Sequence, residues 1–319
     1  MANVDQDEIS RRWVGNHSIP NDKIDYFISH TWHDDGTSKG MPQPPKKTWE
    51  NPEGLEEYGW RKAVAFQNMV RTIVELKSQN GTEIDRKTLS FWLDKVCIPQ
   101  YDEQLKVDCI SSLETFISHS EGLIVLLTPR YPKRLWCVYE VACFLCSKHM
   151  ENVFVNFRSF CSNENRSTYL NNIRDFSIDK CECKVQFDRT ILAAKVEQYY
   201  VSKDHFAQFV QDSLLSLIIR DFFSYPPMIK TQNLLEEHVG PFLRLLKEIE
   251  NGRQGTTSHS LFEAFSSFDV VKQYQSVEYC DEKYLEKLKE HLNKNVYSLL
   301  NDRRRTYCNS VGLSLYQGC

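Results

Sequence analysis

From Lys23 to about residue 200, short apolar runs alternate with longer stretches whose apolar positions recur every three or four residues. The first pattern predicts strands and the second amphipathic helices. Ile24-Asp25-Tyr26-Phe27-Ile28-Ser29 reads as a first strand and Leu89-Ser90-Phe91-Trp92-Leu93 as a second. Gly122-Leu123-Ile124-Val125-Leu126-Leu127 is a third, and its unbroken apolar character is what a strand buried on both faces requires, so it is expected to be central. Asn152-Val153-Phe154-Val155-Asn156-Phe157 is a fourth and Cys183-Lys184-Val185-Gln186-Phe187 a fifth. Helices are expected over about Trp60 to Lys77, near Val107 to Ser118, and after Thr128-Pro129, where Trp136, Tyr139, Val141, Phe144 and Leu145 recur. Strands and helices in this alternation predict an α/β fold with a flavodoxin-like, doubly wound, five-stranded parallel sheet. Ligands collect at the carboxyl ends of the strands in such sheets.

Residues 33–59, with four prolines and no sustained period, read as an insertion or an ordered active-site loop. Beyond about residue 200 the strand pattern stops. Phe206 to Phe223, Leu234 to Ile249 and Tyr284 to Leu300 are helical in spacing. The expected organisation is an N-terminal extension (1–21), a sheet domain (22–202) and an α-helical C-terminal region (203–319).

Composition narrows the function classes. The 319 residues carry 39 Lys and Arg against 43 Asp and Glu, a formal charge of −4, so no global basic field favours nucleic acid or an anionic membrane. Arg303-Arg304-Arg305 is the only compact basic run, and it reads as a solvated helix end. The 11 cysteines sit in apolar neighbourhoods and suit free thiols in a reducing compartment. No apolar core marks the N-terminus as a signal peptide, and no run of about 18 apolar residues predicts a membrane span. A cytoplasmic protein is expected.

Four segments carry a resemblance. Asp25-Tyr26-Phe27-Ile28-Ser29-His30, Phe91-Trp92-Leu93-Asp94, Gly122 through Thr128-Pro129-Arg130-Tyr131, and Leu135-Trp136-Cys137-Val138-Tyr139-Glu140-Val141 resemble, in order and spacing, the first three strands and following helix of a Toll/interleukin-1 receptor (TIR) domain. The resemblance covers roughly residues 22–200. Its most specific element is Trp136-Cys137-x-x-Glu140 after a Thr-Pro-x-Tyr strand end.

In enzymatic members of that family the matching glutamate is catalytic in an NAD+ nucleosidase, which makes Glu140 the candidate catalytic residue. The resemblance implies NAD+ or a related dinucleotide as substrate, with no separate cofactor, and release of nicotinamide with ADP-ribose or a cyclic product. It also implies self-association into a homo-oligomer through the TIR domain, and the amphipathic helical tail, outside the resemblance, is expected to contribute to that assembly. Independent chemistry agrees. Cleavage passes through an oxocarbenium-like state that a carboxylate stabilises, and the pyridinium leaves as neutral nicotinamide, so one carboxylate suffices without a general acid. Taken alone, Glu140 also fits an exposed acid in the first turns of a helix.

His30, Thr31 and Trp32 follow the first strand, where the family contacts the nucleotide. An arginine common there is replaced in this sequence, and Lys39, Lys46 or Lys47 could serve instead. Asp94 matches a carboxylate common at the end of the second strand and equally fits a turn-forming aspartate. Trp136, four residues before Glu140, either walls the substrate cleft or belongs to the core. The loop Lys95 to Lys106, with Pro99 and Tyr101, corresponds to a mobile self-association loop in the family. His30, His33, Asp34, Asp35 and Cys181-x-Cys183 lack metal-site spacing, and no metal is expected. The alternative to an enzyme is a non-catalytic TIR signalling adaptor acting through homotypic association.

Overall fold

The computed structural model describes residues 24–31, 57–79, 89–98, 102–183, 185–223, 236–253, 259–267 and 282–309. The chain divides into two compact units. The described part of the first runs to Leu126 and adds Cys143–Phe154; the second comprises Leu127–Ala142 and the described residues from Val155 onward.

The fold is α/β, with a four-stranded, all-parallel sheet in the order β2-β1-β3-β4. Its strands are β1 (Ile24–Ser29), β2 (Phe91–Leu93), β3 (Ser120–Val125) and β4 (Val153–Val155). β1 pairs with β2 through Tyr26↔Phe91, Phe27↔Trp92 and Ile28↔Leu93, and with β3 through Tyr26↔Gly122, Phe27↔Leu123 and Ile28↔Ile124.

Side chains of a strand alternate between faces. On one face Tyr26 stacks with Phe91 at 6.0 Å, and Phe66 of helix α1 (Glu57–Gln79) meets Phe91 edge-on at 5.2 Å. On the other face Phe27 stacks on Trp92 at 4.4 Å. Trp92 in turn stacks on Phe116 of α3 (Leu113–His119), which follows α2 (Glu103–Ser111). Both faces are covered, as continuous apolar strands demand. Gly122 is required here, because a Cβ at this position would lie 2.6 Å from Cε1 of Tyr26 and 3.1 Å from the Asn152 carbonyl oxygen.

The expected fifth strand is not formed. Glu182 makes a single parallel bridge with Arg134, and Gln186–Tyr199 is helical instead. The physical reason lies in the side chains. Val185 and Phe187 are 43% and 55% exposed, so the alternation that suggested a strand covers no core, whereas Leu192 and Val196 bury the inner side of the helix.

Helices α4 (Leu135–Ser147), α5 (Arg166–Arg174) and α6 (Gln186–Tyr199) precede α7 (Lys203–Phe223), which is buried around most of its circumference. Phe157 packs edge-on to Tyr169, Phe222 of α7 and Phe242 of α8 (Gly240–Gly252) within 5.6 Å. After α9 (Leu261–Ser266) come α10 (Glu282–His291), a π-helical segment (Leu292–Tyr297) and α11 (Ser298–Tyr307). Residues 33–56 of the expected insertion lie outside the described residues, and residues 57–59 open α1. No described helix is long and apolar enough to cross a membrane.

Candidate functional site

Parallel pairing of Ile28 with Leu93 sets the carboxyl ends of β1 and β2 side by side, so the residues that follow each strand meet. His30 Nε2 lies 3.2 Å from Asp94 Oδ1, and its Nδ1 lies 3.1 Å from the Thr31 carbonyl oxygen. Both partners are acceptors. The two side chains are 14% and 21% exposed, sheltered yet within reach of solvent.

Thr31 is buried, and Lys62 of α1 donates to its carbonyl oxygen and, at 3.0 Å, to its Oγ1. His30, Thr31 and Asp94 are thus brought together, and Lys62, which the sequence did not single out, joins them. Nothing in the local sequence distinguishes Lys62 from any other lysine on an amphipathic helix; sheet order and helix placement bring it in. Trp32, the alternative cations Lys39, Lys46 and Lys47, the donors His33, Asp34 and Asp35, and Pro99 and Tyr101 lie outside the described residues. The described flanks of that loop are a helical turn, Asp94–Cys97, and α2, whose Asp102 cap accepts from Gln104 and Leu105 N–H at 3.0 Å.

Glu140 and Trp136 belong to the second unit. Glu140 sits in the second turn of α4 and is only 6% exposed, between neighbours Val138, Tyr139, Val141 and Ala142 that are buried too. The alternative of an exposed acid at the helix start is therefore overturned. Trp136 is half-buried, and its Nε1–H donates to Asp188 Oδ2 of α6 at 3.2 Å. The Thr-Pro-x-Tyr segment works structurally. Tyr131 is fully buried and its hydroxyl donates to the Cys137 carbonyl at 3.0 Å, while Asn172 donates to the Pro129 carbonyl at 2.9 Å. Glu182 accepts from Arg130 at 2.9 Å and Arg134 at 3.2 Å, and its backbone oxygen accepts from Leu135 N–H at the start of α4.

One arginine of the basic run near the C-terminus is buried, whereas Arg305 is exposed as a solvated helix end would be. Arg303 is 4% exposed; it donates to Asp212 Oδ2 at 2.7 Å and to Glu250 Oε1. Arg253 reaches the same Asp212 carboxylate at 2.9 Å. Glu250 also accepts from Ser260 Oγ at 2.7 Å and Leu261 N–H at 2.8 Å. Burial alone would raise the Glu250 pKa, but the bonds from Ser260 and Arg303 outweigh it and hold the carboxyl below its usual range. Two guanidinium groups and two carboxylates balance in charge, as a buried cluster requires.

Nine cysteines among the described residues are free thiols. No three His, Cys, Asp or Glu side chains group as metal donors among the described residues. Comparison with protein families, curated proteins and solved structures gave no match.

Proposed function

We propose that the protein is a TIR-type NAD+ nucleosidase on a flavodoxin-like sheet, cleaving the nicotinamide–ribose bond to give nicotinamide and ADP-ribose or a cyclic product, with activity raised by self-association. The observation that carries this reading is the burial of Glu140. Carboxylates are rarely buried in an apolar helix without a task, and a low-dielectric surrounding is where a fixed negative charge does most for an oxocarbenium-like state. The strand order β2-β1-β3-β4 is compatible with the sheet that this reading needs.

In this reading Glu140 stabilises the positive charge that develops on the ribose as the C1′–nitrogen bond breaks. The bonding electrons return to the pyridinium nitrogen, nicotinamide departs neutral, and water adds at C1′ with loss of a proton to give ADP-ribose. His30, Thr31, Trp32, Asp94 and Trp136 take dinucleotide-holding roles. With assembled protein and NAD+, Glu140→Gln is expected to lower nicotinamide release by about a hundredfold or more. Undiminished release from a folded variant would remove Glu140 from the reaction.

One observation favours the adaptor reading. His30, Asp94, Thr31 and Lys62 bond to one another, which is what a purely structural turn needs. Calorimetric titration with a non-hydrolysable NAD+ analogue separates the two: saturable heat belongs to the nucleosidase and its absence to the adaptor.

A further inference from the structure

Along α4 every residue from 135 to 146 is buried except Trp136, which is half-buried. Glu140 stands four residues on, one turn further along the same helical face. The indole is therefore the solvent-reaching end of the face that carries the buried carboxylate.

A half-buried indole can turn about its side-chain torsions unless something holds it. Here the hold is polar. Its single donor, Nε1–H, meets Asp188 Oδ2 at 3.2 Å. Asp188 belongs to the first turn of α6, where the helix dipole favours its negative charge, and α6 is itself fixed by the burial of Leu192 and Val196. An ionised acceptor also makes the stronger bond. Two guanidinium groups share the neighbourhood, since Arg134, Arg189 and Asp188 all act electrostatically on the Cys183 thiol. Both are engaged elsewhere: Arg134 donates to Glu182 at 3.2 Å and Arg189 donates to the Cys181 carbonyl oxygen.

We infer that Asp188 is a positioning residue: it fixes the plane of the Trp136 ring, which then presents a flat wall to a planar ring of the dinucleotide beside Glu140. This inference rests on the nucleosidase reading and adds to it a residue from a different helix, one that touches no substrate. A wall that takes no part in the breaking bond holds the ground state and the transition state alike. Its loss therefore appears in KM while kcat stays.

The test is steady-state release of nicotinamide from NAD+ by the assembled full-length protein. Asp188→Ala removes the acceptor and is expected to raise KM about five- to tenfold, with kcat changed less than about twofold. Asp188→Asn keeps an acceptor oxygen at the same place and should recover most of that loss. Trp136→Phe removes the donor and leaves a ring, so in that background Asp188→Ala should add nothing further, as a direct bond between the two requires. A KM unmoved by Asp188→Ala, a loss that Asp188→Asn leaves unrelieved, or an Asp188→Ala effect undiminished on Trp136→Phe would each overturn this inference alone. Absence of release by the wild-type protein would overturn the nucleosidase reading and this inference with it.

Discussion

Two charged clusters of this protein are built from the same chemistry and do opposite things with it. At the ends of β1 and β2, His30 and Asp94 pair at 3.2 Å with both side chains still reachable by solvent. In the second unit, Asp212 is wholly buried and Arg303 nearly so, with Arg253 and Glu250 completing the cluster. A charge within reach of water can exchange its partner for a ligand at small cost. One that has been desolvated cannot, because its partner would be left buried alone. The first arrangement suits a binding edge and the second a fixed structural joint between α7, α8 and α11.

Breaking the buried cluster should show the largest effect. Arg303→Ala leaves two buried carboxylates to the single cation Arg253 of the cluster, and a loss of about 3–5 kcal/mol is expected in denaturant unfolding. A loss below about 1 kcal/mol would show that the cluster is no joint. Asp221→Asn sharpens the contrast, because Asp221 is buried yet its Oδ2 has no hydrogen-bond partner among the described residues. Its folded pKa of about 7 exceeds the ordinary carboxylate value, so the folded state binds the extra proton between them. Its contribution to stability is therefore full below about pH 4, is lost as pH rises towards 7, and is absent above. Over that window wild-type stability should fall relative to Asp221→Asn by a few kcal/mol, on the order of 4 for three pKa units. Unfolding curves that run parallel for the two proteins from pH 4 to 8 would refute the protonated, buried acid. The smallest effect belongs to the strand ends: Asp94→Asn should cost less than about 1 kcal/mol of stability. In the proposed nucleosidase it should nonetheless raise KM for NAD+ measurably; a large stability loss would instead make Asp94 structural.

What was legible in the sequence follows from the length and purity of each signal. β1, α1 and the apolar run of β3 were readable because burial on both faces or along one stripe leaves an unbroken pattern, as at Ala65, Met69 and Ile73. Val185 and Phe187 imitated a strand because periodicity records which residues are apolar and not whether anything covers them. The meeting of His30 with Asp94 could be anticipated from parallel strand ends, whereas Lys62 and Asp188 depend on helix placement that no local pattern encodes. Arg303 was misread because a run of like charges usually faces water. A usable signal was there: Arg303 stands in phase with Leu300 and Tyr307, both buried, and Asp212 stands just ahead of the apolar pair Leu214-Leu215.

The π-helical segment at Leu292–Tyr297 explains how that phase arises. Leu288, Leu292, Val296 and Leu300 are buried at intervals of four, and on an α-helix each such step overshoots a full turn by about 40°. Three steps would carry the apolar row about a third of the way round the helix. Wider π turns absorb the excess, since each takes more residues to close. Helix type thus acts as an angular correction written into residue spacing. It is this correction, rather than the composition of α11, that delivers one arginine of three to the interior and leaves its neighbours Arg304 and Arg305 outside the buried set.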